Sequence, residues 1–198
     1  AVDAAGNIYV QDLQLYGEIL VRRIDAVTGI IDTVAGGGTT IPGSGPATDM
    51  LLTASTGSGD LLVDGGTLFV ATDTRIFQVD LATGQLEPFA GTGATGFGGD
   101  GGPALAARFD HIGGLALVPG GGLVVADSYN ARLRYIAPGA IDLSGDASQS
   151  ELHLPWLSEL SGDLTVAGNP TLTVIDMSSL TTSGGSLTIE GNTAAAAI

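Results

Sequence analysis

The chain has 198 residues, 44% of them hydrophobic, enough for one or two packed domains and too apolar for disorder. Its 21 acidic residues against six arginines and no lysine give a net charge of −15. That surface repels phosphate backbones and anionic lipid, so it argues against nucleic-acid and membrane-surface partners. No apolar run reaches the roughly 18–20 residues of a membrane-spanning helix, the absence of cysteine removes disulfides and thiolate metal sites, and AVDAAGNIYV is not a signal peptide.

Along the chain, short β-branched or aromatic runs bounded by Gly, Asp or Asn read as strands. One such run occurs three times, as NIYVQD (7–12), TLFVAT (67–72) and GLVVAD (122–127), with Val10, Val70 and Val125 in matching slots. A second follows each of them: LVRRI (20–24), RIFQV (75–79) and RLRYI (132–136). In the last of these, alternation predicts that Arg132 and Arg134 face solvent. RRIDAVTGIIDTVAGGG (22–38) returns as FQVDLATGQLEPFAGTG (77–93), pairing Asp25 with Asp80, Gly29 with Gly84 and Gly36 with Gly91 at one constant offset. A unit of about 55 residues with three or four short strands and one long loop suits a β-propeller blade.

The long loop between the second and third units contains GTGATG (91–96), a match to the G-x-G-x-x-G phosphate fingerprint. A dinucleotide loop needs a helix N-terminus directly after it. FGGDGGP (97–103) cannot hold helical geometry cheaply, and no Lys-Ser/Thr follows. The glycines are therefore expected to serve the chain itself, supplying positive φ and tight backbone approach. Pro103 can open at most one helical turn.

AGTGATGFGGDGGPALAARF (90–109) followed by GGLALVPGGGLVVADSYNARLRYI (113–136) resembles the NHL repeat, with its GDGGPA loop, its strand ending in Asp and its "N.riR.i" strand. The resemblance covers about residues 1–138, strongest in the last unit, since TTIPGSGPATDML (39–51) lacks the GDG. It implies a β-propeller, a fold whose members in this family mostly bind proteins or other ligands.

From residue 139 a different period begins. GAIDLSGD (139–146), GDLTVAGN (162–169) and GSLTIEGN (185–192) follow one another at a regular interval, and Leu152, Leu154 and Leu157 recur at the same interval as Ile175, Met177 and Leu180. A short period of about 23 residues with fixed apolar slots is a solenoid signature, in which each coil buries those slots against the next. The pattern resembles leucine-rich and receptor-L-type coils. Asn169 and Asn192 are expected to satisfy backbone groups at the coil turns. The fold expected is thus all-β: a partial NHL-type propeller of about two and a half blades at 1–138, then a short β-solenoid at 139–198. Propellers close with 4–8 blades, and Ile198 falls on the slot of Ile175. These 198 residues are accordingly expected to be part of a longer protein, a fragment with open sheet edges that favour association.

Candidate chemistry is sparse. With His111 and His153 as the only histidines, a three-histidine catalytic metal site, as in propeller lyases related to the NHL family, cannot be assembled. G-x-S-x-G and H-E-x-x-H are absent. Asp100 in GGDGGP offers a calcium reading, but such loops need tandem copies to complete the oxygen shell. Capping of the Pro103 turn or bonding to its own loop is the competing role for this aspartate. Trp156 is expected to pack at the first solenoid turn. No cofactor is expected.

The function expected is a non-catalytic module for a protein or surface ligand, extracellular or at a bacterial cell surface. The alternatives are a propeller enzyme with its site at the central channel, and a structural spacer. The turn Asp127–Arg132 (DSYNAR) gathers Asp127, Tyr129, Asn130 and Arg132, and the matching turn of the first unit carries Tyr16. Tyrosine and arginine are enriched at binding hot spots. Against this, Asp127 and Asn130 suit internal side-chain-to-backbone bonding, and Tyr129 could simply cover a neighbouring strand.

Overall fold

In a computed structural model the described residues are 1–54, 59–118, 122–137, 141–142, 150–153, 159–160, 164–178, 180–183 and 186–192. They are all-β, with four single-turn 3-10 segments as the helical content. The chain divides into two compact units, 1–117 with 124–135, and 118–123 with 136–198. Leu154, Trp156 and Leu157 lie outside the described residues, as does Ile198.

The first sheet contains β1 (Ile8–Leu13), β2 (Glu18–Ile24) and β3 (Ile31–Gly36) in that order. β4 (Gly45–Pro46) belongs to the second sheet, while β5 (Leu52–Thr53) pairs with the start of β2. β6 (Leu61–Asp64), β7 (Thr67–Ala71), β8 (Ile76–Asp80) and β9 (Gln85–Ala90) complete the second sheet, in the order β4-β9-β8-β7-β6. The strand ladders of these two sheets are antiparallel. A third sheet joins β10 (Ile112–Leu117), β11 (Leu123–Asp127) and β12 (Arg132–Ile136).

The longer of the two repeats is physical. In the hairpin between β2 and β3, Asp25 Oδ1 accepts from the backbone N–H groups of Val27 and Thr28. Between β8 and β9, Asp80 Oδ1 accepts from Ala82 and Thr83 in the same way. Each hairpin then turns on a glycine, Gly29 or Gly84, at φ +70°. A bulge recurs too: the register slips between Val21 and Arg22 and again between Ile76 and Phe77, leaving Val34 and Phe89 as the extra residues. Gly36 ends β3 and Gly91 follows β9, both with left-handed backbone, and a Cβ on either would strike a carbonyl, that of Ile19 or Thr74.

One core is shared by the first two sheets. Tyr9, Ile19, Val21 and Ala35 from the first pack with Leu68, Val70, Phe77, Val79 and Leu86 from the second, with Met50 and Leu52 of the connecting segment between. Equivalent slots are not equally covered. Leu68 and Val70 of β7 are fully buried, whereas Ile8 and Val10 of β1 are 43% and 37% exposed.

In the second unit the described strands are β13 (Ile141–Asp142), β14 (Glu151–His153), β15 (Glu159–Leu160), β16 (Leu164–Ala167), β17 (Val174–Asp176), β18 (Thr182–Ser183) and β19 (Leu187–Glu190). Their ladders are parallel, and each joins a strand to its counterpart one repeat further on: Ile141 opposite Leu164, Leu164 opposite Leu187, Glu151 opposite Val174, Glu159 opposite Thr182. Ile175 and Met177, two of the slots marked by the repeat, are buried. Asn192 bonds back to the preceding parallel strand and its end, its Oδ1 accepting from the Asn169 N–H and its Nδ2 donating to the Val166 carbonyl.

Two outcomes are expected. Gly36→Ala and Gly91→Ala should each cost about 2–4 kcal/mol in urea unfolding, from φ strain plus a backbone clash. Gly29→Ala, with open space around its Cβ site, should cost only about 1 kcal/mol. The backbone N–H groups of Thr28 and Thr83 lead in holding the Asp25 and Asp80 carboxyls below their ordinary values. The unfolded chain therefore takes up these protons first, and stability falls as pH drops below about 4. In thermal melts between pH 2 and 6, an Asp25→Asn/Asp80→Asn variant should show a flatter acid limb.

Candidate functional site

The glycine-rich loop from Gly91 to Phe109 is held by its own backbone and by arginines. Gly91 donates to the Ala104 carbonyl, Thr92 to Ala107 and Gly96 to Phe109. The Arg75 guanidinium donates to the Thr92 carbonyl and that of Arg108 to Thr95. The N–H groups of Gly91, Thr92 and Gly96, which a phosphate would otherwise draw on, are thus already used. Helix is confined to one 3-10 turn, Ala104–Ala106, whose N-cap Pro103 has no side-chain cap.

The centre of this region is Arg134. Sequence alternation puts it in solvent, but the structure buries it at 9% exposure while Leu133 next to it is 76% exposed. The reason is its set of acceptors. Nη1 donates to the Arg108 carbonyl at 2.7 Å and faces Asp127 Oδ2 at 3.4 Å; Nη2 donates to the Gly98 carbonyl at 2.9 Å; Nε donates to Asp100 Oδ1 at 2.9 Å. Asp100 Oδ1 also pairs with Nη2. Asp100 therefore binds a guanidinium instead of capping the Pro103 turn. The calcium reading would require a metal to compete with that cation for the carboxylate, and among the described residues no group of three His, Cys, Asp or Glu is placed to hold a metal.

Asp127 is fully buried. Its Oδ1 accepts from the Asp110 N–H, and Asn130 Nδ2 donates to both of its oxygens. Asn130 Nδ2 also reaches the Gly96 carbonyl. These two expected binding residues thus tie the turn to the glycine loop. The first sheet carries the same pair in weaker form, Arg22 Nη1 to Asp12 Oδ2 at 3.7 Å.

On top of this staple lies an exposed aromatic surface. Tyr129 is 72% exposed and stacks on the His111 ring, centroids 4.2 Å apart at 10°. The exposed Arg132 places its guanidinium carbon 4.1 Å from the Phe97 ring centre, and Arg134 lies 5.2 Å from the same centre. Asn130 links the two stacks, being next to Tyr129 and bonded to the residue before Phe97. Tyr16, 99% exposed, stands on the β1–β2 turn of a different sheet. Among the described residues, left-handed backbone outside glycine is found at Tyr16, His111 and Ala131, all at or against these two turns. Such strain clusters where surrounding structure fixes a functional surface.

Reading the sequence missed Phe97, His111 and Arg134 as members. For Phe97 the signal was one aromatic inside a Gly/Asp/Pro stretch, where nothing else can pack. The chain matches no known family model, and no curated protein is significantly similar to it. Asp127→Ala should cost about 3 kcal/mol in urea unfolding, because it strips the Asp110 N–H, Asn130 Nδ2 and Arg134 Nη1 of a shared buried acceptor. Tyr129→Ala should change stability by less than about 0.5 kcal/mol.

Proposed function

We propose that the protein is a non-catalytic interaction module, part of an NHL-type β-propeller followed by a β-solenoid. In this reading it is displayed outside a bacterial cell and binds a protein or surface ligand through the turn face of its third sheet. The observation that carries the reading is the contrast at that turn. Its polar groups are bonded internally, while Tyr129 and Arg132 stay exposed on a backbone strained at His111 and Ala131. An aromatic and a guanidinium fixed by stacking lose little freedom on binding. The propeller part is supported by the recurrence of hairpin, bulge and closing glycine from the first sheet to the second. The solenoid part is supported by parallel ladders that each step by one repeat.

The test is comparative. A partner recovered by pull-down on the chain should lose at least about 2 kcal/mol of affinity for Tyr129→Ala or Arg132→Ala, the scale of a hot-spot truncation. Unchanged melting would show that the fold is intact. A loss below about 0.5 kcal/mol for both would move the interface away from this turn.

A further inference from the structure

The second sheet lacks an acid–arginine pair that the other two carry, and a pocket opens there. In the first sheet Val10 pairs with Arg22, and in the second the equivalent Val70 pairs with Phe77. Two positions beyond each valine of the repeat stand Asp12, Thr72 and Asp127. The Asp–Arg pair of sheets one and three, Asp12–Arg22 and Asp127–Arg134, is therefore replaced in sheet two by Thr72 and Phe77. The loop changes with it. The Gly-Pro-Ala shared by the two glycine loops aligns Gly43 with Asp100, the second acid that holds Arg134. Strand arginine and loop acid are lost together, and the acid next to Thr72 stands one place later, at Asp73.

What remains is a pocket of about 210 Å3 lined by Thr72 and Phe77, with Pro42 and Leu51 of the preceding loop and the Arg75 side chain among its walls. Arg75 is a cation without a carboxylate within ion-pair distance among the described residues, where the pairs formed are those of Arg22, Arg23 and Arg134. Of its five N–H donors, the bond formed is Nη2 to the Thr92 carbonyl, and its buried Nε has no acceptor. Two threonine hydroxyls of the pocket are turned to backbone carbonyls. Thr72 donates to the Arg75 carbonyl and Thr74 to the Gly93 carbonyl. A half-buried guanidinium beside apolar walls favours an anionic, planar acceptor with an apolar tail. The volume lies below the roughly 300–1,000 Å3 of drug-sized sites, which limits the ligand to a few heavy atoms.

We propose that this pocket binds a short-chain aliphatic carboxylate, its oxygens on Arg75 and its tail against Leu51 and Pro42. The site is separate from the Tyr129 turn and does not depend on that surface having a partner. The probe is butyrate, titrated into the 15N-labelled chain and followed by amide shifts. Saturable movement of Thr72, Thr74 and Gly93 at millimolar concentration is expected. Butyramide, which keeps shape and loses charge, should bind at least tenfold more weakly. Arg75→Gln should weaken butyrate at least tenfold. So should Thr72→Asp, which restores the internal carboxylate found in the other two sheets. Equal binding of acid and amide would overturn the proposal, as would full binding in either folded variant or no saturable shift up to about 50 mM, far above the millimolar range of a weak specific site. The acid–amide comparison needs no variant and decides even if both substitutions disturb folding.

Discussion

Arg134 carries a full charge at 9% exposure, and four groups from three different stretches of chain hold it there: Asp127, Asp100, and the carbonyls of Gly98 and Arg108. A buried guanidinium without such partners would cost several kcal/mol, so the loop has to close over it for the third sheet to fold as it does. Closure in turn positions Phe97 between Arg132 and Arg134, and Asp127 fixes Asn130 and with it the Tyr129 turn. The exposed surface is thus set by the buried Arg134–Asp127 pair beside it. Exposed residues and holding residues alternate within one short turn.

The repeat explains why this can vary without damage to the fold. What recurs between the first and second sheets is what the backbone needs: an aspartate capping the hairpin, a bulge at the same register, a glycine where another carbonyl comes too close. What differs lies one layer out, in the side chains facing the loop. Asp and Arg in one sheet become Thr and Phe in the next, and a sealed ion pair becomes an open pocket. The second unit follows another rule, in which parallel ladders stack equivalent side chains and Asn192 bonds back to Asn169 and Val166.

The amino-acid sequence by itself determined the strands, the two periods and the closing turns. These depend on near neighbours: alternation, β-branching, Asp-x-x-Thr-Gly hairpins and glycines at positive φ are local chemistry. It also offered Asp127 and Asn130 both as binding residues and as internal bonding partners, left Tyr129 open between binding and covering a neighbouring strand, and placed Arg132 facing solvent. Only the tertiary structure decided which face of an alternating strand is inside. Arg134 is buried and Leu133 exposed because the acceptors for the guanidinium lie far upstream, at Gly98, Asp100 and Arg108 in the loop. His111 and Phe97 entered the site for the same reason, brought to the turn by a loop that reads as featureless glycine. Ile8 and Leu68 occupy the same slot of the same repeat, yet one is exposed and the other sealed. Burial belongs to what packs against a residue, and a strand's own letters do not contain its neighbour.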